Sequence, residues 1–136
     1  MYERTFHLHI VTPDRVVFQG DATSISAPGV IGGFQVLASH APLLSAIEIG
    51  RLKVKDPSGT DTMYACGSGF VEVLQNEVSV VVESAERSDQ IDVARAKAAR
   101  ERALQRLRSR DAAIDTARAK MALVRAQNRL RLAGEL

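Results

Sequence analysis

The chain has 136 residues, of which 46% are hydrophobic and 25% are charged, and its formal net charge is +2. These values are typical of a folded globular protein and argue against global disorder. The low aromatic content and the absence of Trp argue against a protein that stacks bases on exposed rings. Because Cys66 is the only cysteine, no intrachain disulfide can form. We also expect no targeting segment and no membrane span, since no run of about 18 apolar residues occurs.

Residues 1–86 have the pattern of β structure. Short runs rich in β-branched residues alternate with turn signals, such as Pro13 with Asp14 and the segment 56–59. Residues 51–55 alternate polar with apolar side chains, which is the period of a half-buried strand. The predicted strands are 6–11, 16–18, 23–26, 34–37, 46–49, 51–55, 70–74 and 78–82. Strands at this spacing indicate a sandwich or a flattened barrel.

Residues 87–136 have the pattern of two helices, because no Pro occurs there and the first Gly is Gly134. Ser88 or Asp89 can cap the first helix, and Asp111 can cap the second. Each helix is expected to span about 18 residues, or roughly 27 Å. The predicted apolar stripes are Val93, Ala96, Leu104 and Leu107, then Ile114, Ala117, Met121 and Val124, and a further one of Ala119, Leu123, Ala126 and Leu130. Alanines let helices approach closely but bury little area, so we expect a hairpin of marginal stability.

The basic residues are concentrated in the helical segment. Residues 87–136 contain 13 basic and 6 acidic residues, a net charge of +7, whereas residues 1–86 contain 5 basic and 10 acidic residues, a net charge of −5. A basic segment joined to an acidic one indicates a nucleic-acid arm, a site for a polyanionic ligand, or a docking segment for an acidic partner.

The arginines form one stripe on each predicted helix, at spacings of three and four residues. The stripes are Asp92, Arg95, Ala99, Arg102 and Arg106 on the first helix, and Arg118, Ala122, Arg125 and Arg129 on the second. If the stripes face each other, their charges repel unless an anion lies between them. Guanidinium groups suit phosphate oxygens. The alternative is that both stripes simply face water.

No other motif predicts a catalytic or metal site. The chain lacks G-x-x-x-x-G-K-[ST], so a hydrolytic phosphate loop is excluded, and residues 67–69 are interpreted as a turn that enters a strand. His7, His9 and His40 complete no recognisable metal signature, so we expect no bound metal. Cys66 is expected to be a small core residue.

Three separated segments resemble the epsilon subunit of bacterial F-type ATP synthases. They are residues 32–44 (GGFQVLASHAPLL), 67–73 (GSGFVEV) and 91–102 (IDxxRAKAAxER). The resemblance implies an α+β fold, in which a ten-stranded flattened β-sandwich (residues 1–86) precedes a two-helix antiparallel hairpin (residues 87–136). It implies a non-catalytic rotor subunit that couples proton-driven rotation to ATP synthesis at the cytoplasmic face of the bacterial inner membrane. The implied partners are the gamma subunit, the ring of membrane c subunits and the catalytic alpha/beta head.

The resemblance also implies a regulatory ATP site on the folded-down hairpin, with no cofactor required. Some members of the family bind ATP through I/L-D-x-x-R-A and later arginines, and their extended hairpin hinders ATP hydrolysis. The matching residues of this chain are Glu86, Ile91, Asp92 and Ala96 for the adenine pocket, and Arg95, Arg102, Arg125 and Arg129 for the phosphates. Two alternatives stay open, a structural rotor subunit without nucleotide sensing and a nucleic-acid-binding module with salt-dependent DNA affinity.

Overall fold

The computed structural model describes residues 4–136. Within them it contains two compact units, of which the first ends at Arg87 and the second spans Ser88–Leu136. The strands of the first unit are β1 Phe6–Val11, β2 Val16–Ala22, β3 Ser24–Ala27, β4 Phe34–Leu37, β5 Leu43–Ile47, β6 Gly50–Lys55, β7 Asp61–Cys66, β8 Gly69–Leu74, β9 Glu77–Val82 and β10 Ala85–Arg87. They form two five-stranded sheets, β2-β1-β9-β8-β5 and β10-β7-β6-β3-β4. The second unit contains α1 Val93–Arg108 and α2 Thr116–Leu132. The predicted α+β fold, a β-sandwich followed by a helical hairpin, is confirmed.

The two sheets share one aliphatic core. In β1, Phe6, Leu8 and Ile10 are at most 2% exposed, whereas the alternate residues His7 and His9 point away from the core. The same two-residue period places one apolar face of each central strand inside. Other fully buried members are Ile25, Val36, Leu52, Val54, Val71, Val73, Val78 and Val80. Burying a side chain of this size stabilises the fold by about 1.5–3 kcal/mol.

Cys66 and Gly69 both have structural roles, as their sequence context predicts. Cys66 is 3% exposed and belongs to the core, and burial raises the pKa of its thiol to about 11. Gly69 begins β8, where a Cβ atom would overlap the carbonyl oxygen of Val81. Only glycine therefore allows β8 and β9 to approach each other at this point.

The strand prediction was wrong or incomplete at four places. The strand expected at 16–18 continues to Ala22. The strand expected at 46–49 is Leu43–Ile47, because its residues pair with β8 from Leu43 onward. The strand Asp61–Cys66 was missed, and it pairs with β6 over its full length. The three-residue strand Ala85–Arg87 was also missed, since a run this short has no measurable period.

The helix caps lie later in the chain than predicted. Ser88 and Asp89 belong to a single turn of 3₁₀ helix, and Asp92 is the N-cap of α1. Asp111 does not cap α2; its carboxylate accepts a hydrogen bond from the Ala113 backbone in the connecting turn, and Asp115 is the cap. Both caps accept a hydrogen bond from the backbone N–H three residues later, which is the usual N-cap geometry.

The hairpin is packed through alanines rather than through the predicted larger side chains. The buried side chains of the two helices are Ala96, Ala103, Ala119, Ala126, Asn128 and Leu130. The predicted stripe at Met121 and Val124 was wrong, because these residues are 47% and 44% exposed. The stripe that contains Ala119, Ala126 and Leu130 is the buried one. Neither helix in the described chain combines the length and the apolar character needed to cross a membrane.

Candidate functional site

The arginine stripes lie on the same side of the hairpin. Successive helical residues are rotated by about 100°, so Arg95 and Arg102 lie roughly 80–120° to one side of the buried residue Ala96. On α2, Arg125 and Arg129 are displaced from the buried alanines in the same rotational direction as Arg95 and Arg102 are displaced from Ala96. Because the helices run antiparallel, equal rotations bring the two stripes to one side of the helix pair. Both stripes therefore flank the interface between the helices on one side.

The ends of the two stripes meet at the turn of the hairpin. Arg106 is the last residue of the first stripe and Arg118 is the first of the second, and both line a cavity of about 280 Å³. Ala113, Ile114, Asp115 and Ala119 complete its wall. Two guanidinium groups beside one small cavity favour an anionic ligand over a neutral one, although the Asp115 carboxylate offsets part of that charge.

The four predicted phosphate-binding arginines differ in exposure. Arg95 and Arg102 on α1 are exposed, whereas Arg125 and Arg129 on α2 are half-buried. Half-buried guanidinium groups lose less side-chain entropy when they bind, and their charge is less screened by solvent.

Asp92, Ala96 and Ile91 form the start of α1. The Asp92 carboxylate accepts a hydrogen bond from the Arg95 backbone N–H at 3.0 Å, so its capping role fixes its orientation. Ala96 is 1% exposed, and Ile91 is half-buried. Asp92 thus has a structural function whether or not a nucleotide binds.

Glu86 belongs to the other unit. It lies in β10 opposite Ala65 of β7, and its Oε1 atom is shielded from solvent. Seven of the eight predicted site residues therefore lie in the helical unit, and Glu86 is in the β unit.

Arg106, Arg118 and Asp115 were missing from the predicted nucleotide site, although a sequence signal points to them. Ile114-Asp115-x-x-Arg118-Ala119 repeats the pattern Ile91-Asp92-x-x-Arg95-Ala96, and each copy places its Asp at the cap of a helix. Recognising this repeat would have predicted both caps correctly. The repeat would also have shown that a capping carboxylate lies next to an arginine twice in the chain, once at the start of α1 and once at the turn of the hairpin.

The histidines form no metal centre in the described part of the chain. His7 and His9 share the outer face of β1, with ring centroids 5.9 Å apart. His7 Nδ1 lies 3.8 Å from Asp21 Oδ1, and His9 Nε2 is hydrogen-bonded to the Ser79 hydroxyl at 2.7 Å. Among residues 4–136, no group of three or more His, Cys, Asp or Glu side chains is arranged to hold a metal ion.

Two family models match the chain in order. The model of the ATP synthase delta/epsilon chain β-sandwich domain matches residues 5–88, and that of the long α-helix domain matches residues 89–134. The ATP synthase epsilon chain of Syntrophomonas wolfei is 45% identical over 81% of this chain and 80% of its own length. That of Nitratidesulfovibrio vulgaris is 48% identical over 77% and 78%.

A solved structure has the same fold. A chain in the Euglena gracilis mitochondrial ATP synthase, seen in an OSCP/F1/c-ring assembly, superposes with a TM-score of 0.80 and 24% identity, covering 95% of this chain and 81% of that one. A chain of the Tetrahymena thermophila central stalk and c-ring superposes over the full length of both with a TM-score of 0.56 and 16% identity. Since the family models, the relatives and the fold agree over nearly all residues, the chain belongs to the ATP synthase delta/epsilon chain family.

Proposed function

We propose that the chain is a non-catalytic central-stalk subunit of an F-type ATP synthase, and that it couples proton-driven rotation to ATP synthesis. The observation that carries this proposal is the order of the two units, a β-sandwich and then a helical hairpin, which the two family domains match along the chain. By this proposal the subunit is peripheral on the cytoplasmic face of the membrane. Its partners are the gamma subunit, the ring of c subunits and the alpha/beta head.

The sandwich has exposed apolar surface suited to stable docking. Leu44 is 70% exposed, and Phe70 and Leu74 are 42% and 51% exposed. The pairing of β5 with β8 sets Leu44 opposite Glu72, between Phe70 and Leu74 on the same outer face. Contiguous exposed apolar side chains on a soluble domain usually mark an interaction surface. This patch supports a permanent interface between the sandwich and another subunit of the rotor.

Reassembly tests the rotor assignment. An F1 assembly depleted of its epsilon subunit is mixed with this chain, and binding and coupled ATP synthesis are measured in energised vesicles. The unmodified chain should rebind and restore coupling, and Leu44→Glu should weaken binding because it places a charge in an apolar interface. Val16→Glu is the matched control, since Val16 is exposed at the other edge of the same sheet. Failure of the unmodified chain to rebind would contradict the assignment.

The hairpin is proposed to bind ATP in its folded-down state and to regulate ATP hydrolysis. The arrangement of arginines on one side of the helix pair supports an anionic ligand, and Asp92 and Ala96 occupy the positions of the family's I/L-D-x-x-R-A motif. A ligand that binds one state alone stabilises it by RT ln(1 + [ATP]/Kd), which is about 2.7 kcal/mol at a hundredfold excess. That amount is large for a hairpin packed through alanines. When ATP falls, the basic helices would be free to contact acidic surfaces of the catalytic head.

Calorimetric titration with ATP tests the sensor. Arg95→Ala and Arg125→Ala should each weaken binding about tenfold or more, because each removes a charge-assisted hydrogen bond worth about 1.5–3 kcal/mol. Arg131→Ala is the control, since it removes the same charge from the opposite side of α2. Absence of heat at millimolar ATP would overturn the sensor and favour the structural rotor subunit. Equal affinities for all four proteins would show that ATP binds elsewhere.

A further inference from the structure

The few basic residues of the sandwich are gathered on one face. Residues 1–86 carry a net charge of −5 and contain only five basic residues, namely Arg4, Arg15, Arg51, Lys53 and Lys55. Arg51, Lys53 and Lys55 alternate along β6 with the core residues Leu52 and Val54, so all three point away from the core. Arg4 lines a cavity together with Lys55. Four of these five residues thus lie on or beside the outer face of one sheet, and one further basic residue of the β unit, Arg87, lies in β10.

The floor of this face is made of small side chains. Ser24 of β3 lies between Leu37 of β4 and Lys55 of β6, and the next outward residue, Ser26, lies between Gln35 and Lys53. Because β3 contributes only short side chains here, the longer side chains of β4 and β6 form walls on either side of it. We call this the basic groove, with Ser24 and Ser26 as its floor, Arg51 and Lys55 on one wall and Gln35 and Leu37 on the other.

Two cavities follow the basic groove and share Gln35. One, of about 470 Å³, is lined by Arg4, Thr23, Ser24, Gln35, Leu37, Ala38 and Lys55. The other, of about 520 Å³, is lined by Ser26, Ala27, Pro28, Gly33, Phe34, Gln35 and Arg51. Among the described residues, the Asp61 carboxylate of β7 offsets part of this charge, since it lies 3.7 Å from the ammonium group of Lys53. Arg51 and Lys55 are exposed beside the cavities, so the groove stays cationic.

We propose that the basic groove binds an extended acidic polypeptide segment of a partner chain. Outward residues on one strand repeat every two residues, at about 6.6 Å. An extended peptide repeats its side chains at the same interval, so carboxylates four positions apart can pair with Arg51 and Lys55 in register, on either side of Lys53 and its partner Asp61. The small floor admits the peptide backbone, and the 54% exposed Leu37 offers an apolar contact on the opposite wall.

Other polyanions fit the basic groove less well. The remainder of the sandwich is acidic, so a nucleic acid or an anionic membrane that extends beyond the groove is repelled. Among the described residues 4–136, Phe34 is the only aromatic side chain that lines either cavity, and it is partly packed against the core, so these residues give bases no stacking platform. A short acidic segment contacts only the positively charged groove and does not reach the acidic surface around it. This proposal is independent of nucleotide binding by the hairpin.

Amide chemical-shift mapping on the full chain tests the proposal. The probe is an eight-residue peptide with Glu at alternate positions separated by Thr, and the comparison peptide has the same composition with its four Glu residues contiguous. We expect the alternating peptide to shift amides in 24–26, 35–37 and 51–55 and to bind more tightly. Lys55→Gln and Arg51→Gln should each weaken binding about two- to fivefold, as loss of an exposed charge pair does. Arg15→Gln, which removes a basic residue of the sandwich that lies outside the groove, should leave the affinity unchanged.

Several results would overturn the proposal. Shifts confined to the basic hairpin, residues 88–136, would place the peptide elsewhere, and equal weakening by Arg15→Gln would indicate a non-specific charge effect. Equal affinity for both peptides would contradict an extended ligand in register with β6. A single-stranded DNA oligomer or phosphatidylglycerol vesicles could also shift the same amides. If either bound more tightly than the peptide, that ligand would be the occupant of the basic groove and the acidic peptide would not.

Discussion

The two units bury their apolar surface in different ways. The sandwich interdigitates Leu, Ile, Val and Phe side chains from two sheets, and many of them are 0–2% exposed. The hairpin joins its helices mainly through Ala96, Ala103, Ala119 and Ala126. A buried Leu or Ile contributes about 1.5–3 kcal/mol, whereas a single methyl group contributes about 0.8 kcal/mol. The two helices bury little area against each other, so separating them costs little free energy. The two sheets share a large core, so the sandwich is the more rigid unit and can serve as a fixed platform.

Gly69→Ala should have the largest effect, and it should act on the sandwich. The added Cβ atom meets the backbone of Val81, which cannot move without separating β8 from β9. We expect a loss of at least about 3 kcal/mol in the free energy of unfolding, measured by urea denaturation. Gly33→Ala is the control, because the nearest atom to its Cβ is 3.7 Å away. Equal stability of the two variants would contradict the close approach of these strands.

Ala126→Leu should have the next largest effect, and it should act on the hairpin. A larger side chain at this 1% exposed position forces α1 and α2 apart, and overpacking of this kind typically costs about 1–3 kcal/mol. Helical circular dichroism should be lost at lower denaturant concentration, while amide exchange in the β-strands is unchanged. Ala117→Leu at an exposed position of α2 is the control. Simultaneous loss of strand protection would show that the two units unfold as one.

Asp115→Ala should weaken the hairpin by a smaller amount. The Asp115 carboxylate accepts a hydrogen bond from the Arg118 backbone N–H at 3.0 Å, and loss of such a cap costs about 1 kcal/mol. Asp111→Ala should cost less, because Asp111 stabilises only the connecting turn. Helical content measured against temperature distinguishes the two variants. A larger effect of Asp111→Ala would contradict the assignment of the cap.

The sequence predicted the sandwich better than it predicted the details of the hairpin. Two-residue alternation identified β6, because a strand with one buried face leaves a clear period, and short apolar runs between turn signals identified β1, β8 and β9. The segment Asp61–Cys66 was missed since its outward and inward residues differ little in polarity. The buried stripe of α2 was ambiguous, because two apolar stripes were available. The buried stripe is the one with Ala119 and Ala126, because alanines let the two helices approach more closely. This outcome depends on the side chains of the partner helix, so α2 alone does not reveal it.

The candidate site was predicted in its residue types but not in its arrangement. Helical spacing alone placed Arg95 with Arg102, and Arg125 with Arg129, in two stripes. That both stripes lie on one side of the helix pair depends on the antiparallel direction of the helices, and the cavity between Arg106 and Arg118 depends on the length of the turn. The basic groove on the sandwich was not predicted, since its walls come from β4 and β6 and become neighbours only through β3.

Acidification should give the smallest effect and should act on one turn of the sandwich. The Asp56 carboxylate accepts hydrogen bonds from the Ser58 hydroxyl and from the backbone N–H groups of Thr60 and Ser58. The Ser58 hydroxyl, followed by the Thr60 N–H, lowers the pKa of Asp56 below its ordinary value of 3.8. Because the pKa of Asp56 is lower in the folded protein than in the unfolded one, its carboxylate stabilises the fold fully at pH values above the unfolded pKa. This stabilisation is lost as the pH falls through the folded pKa.

Side-chain carboxyl NMR on the full chain measures this titration directly. The Ser58 and Thr60 amide resonances should shift together with the Asp56 carboxyl group, at a pH below 3.8, and Asp56→Asn should abolish the shared transition. Helical resonances of α1 and α2 serve as the internal control, because they lie in the other unit. A midpoint at or above 3.8 would show that the turn does not hold the charged carboxylate. A midpoint below it would show that even an exposed loop of the sandwich is locally ordered, as a fixed platform requires.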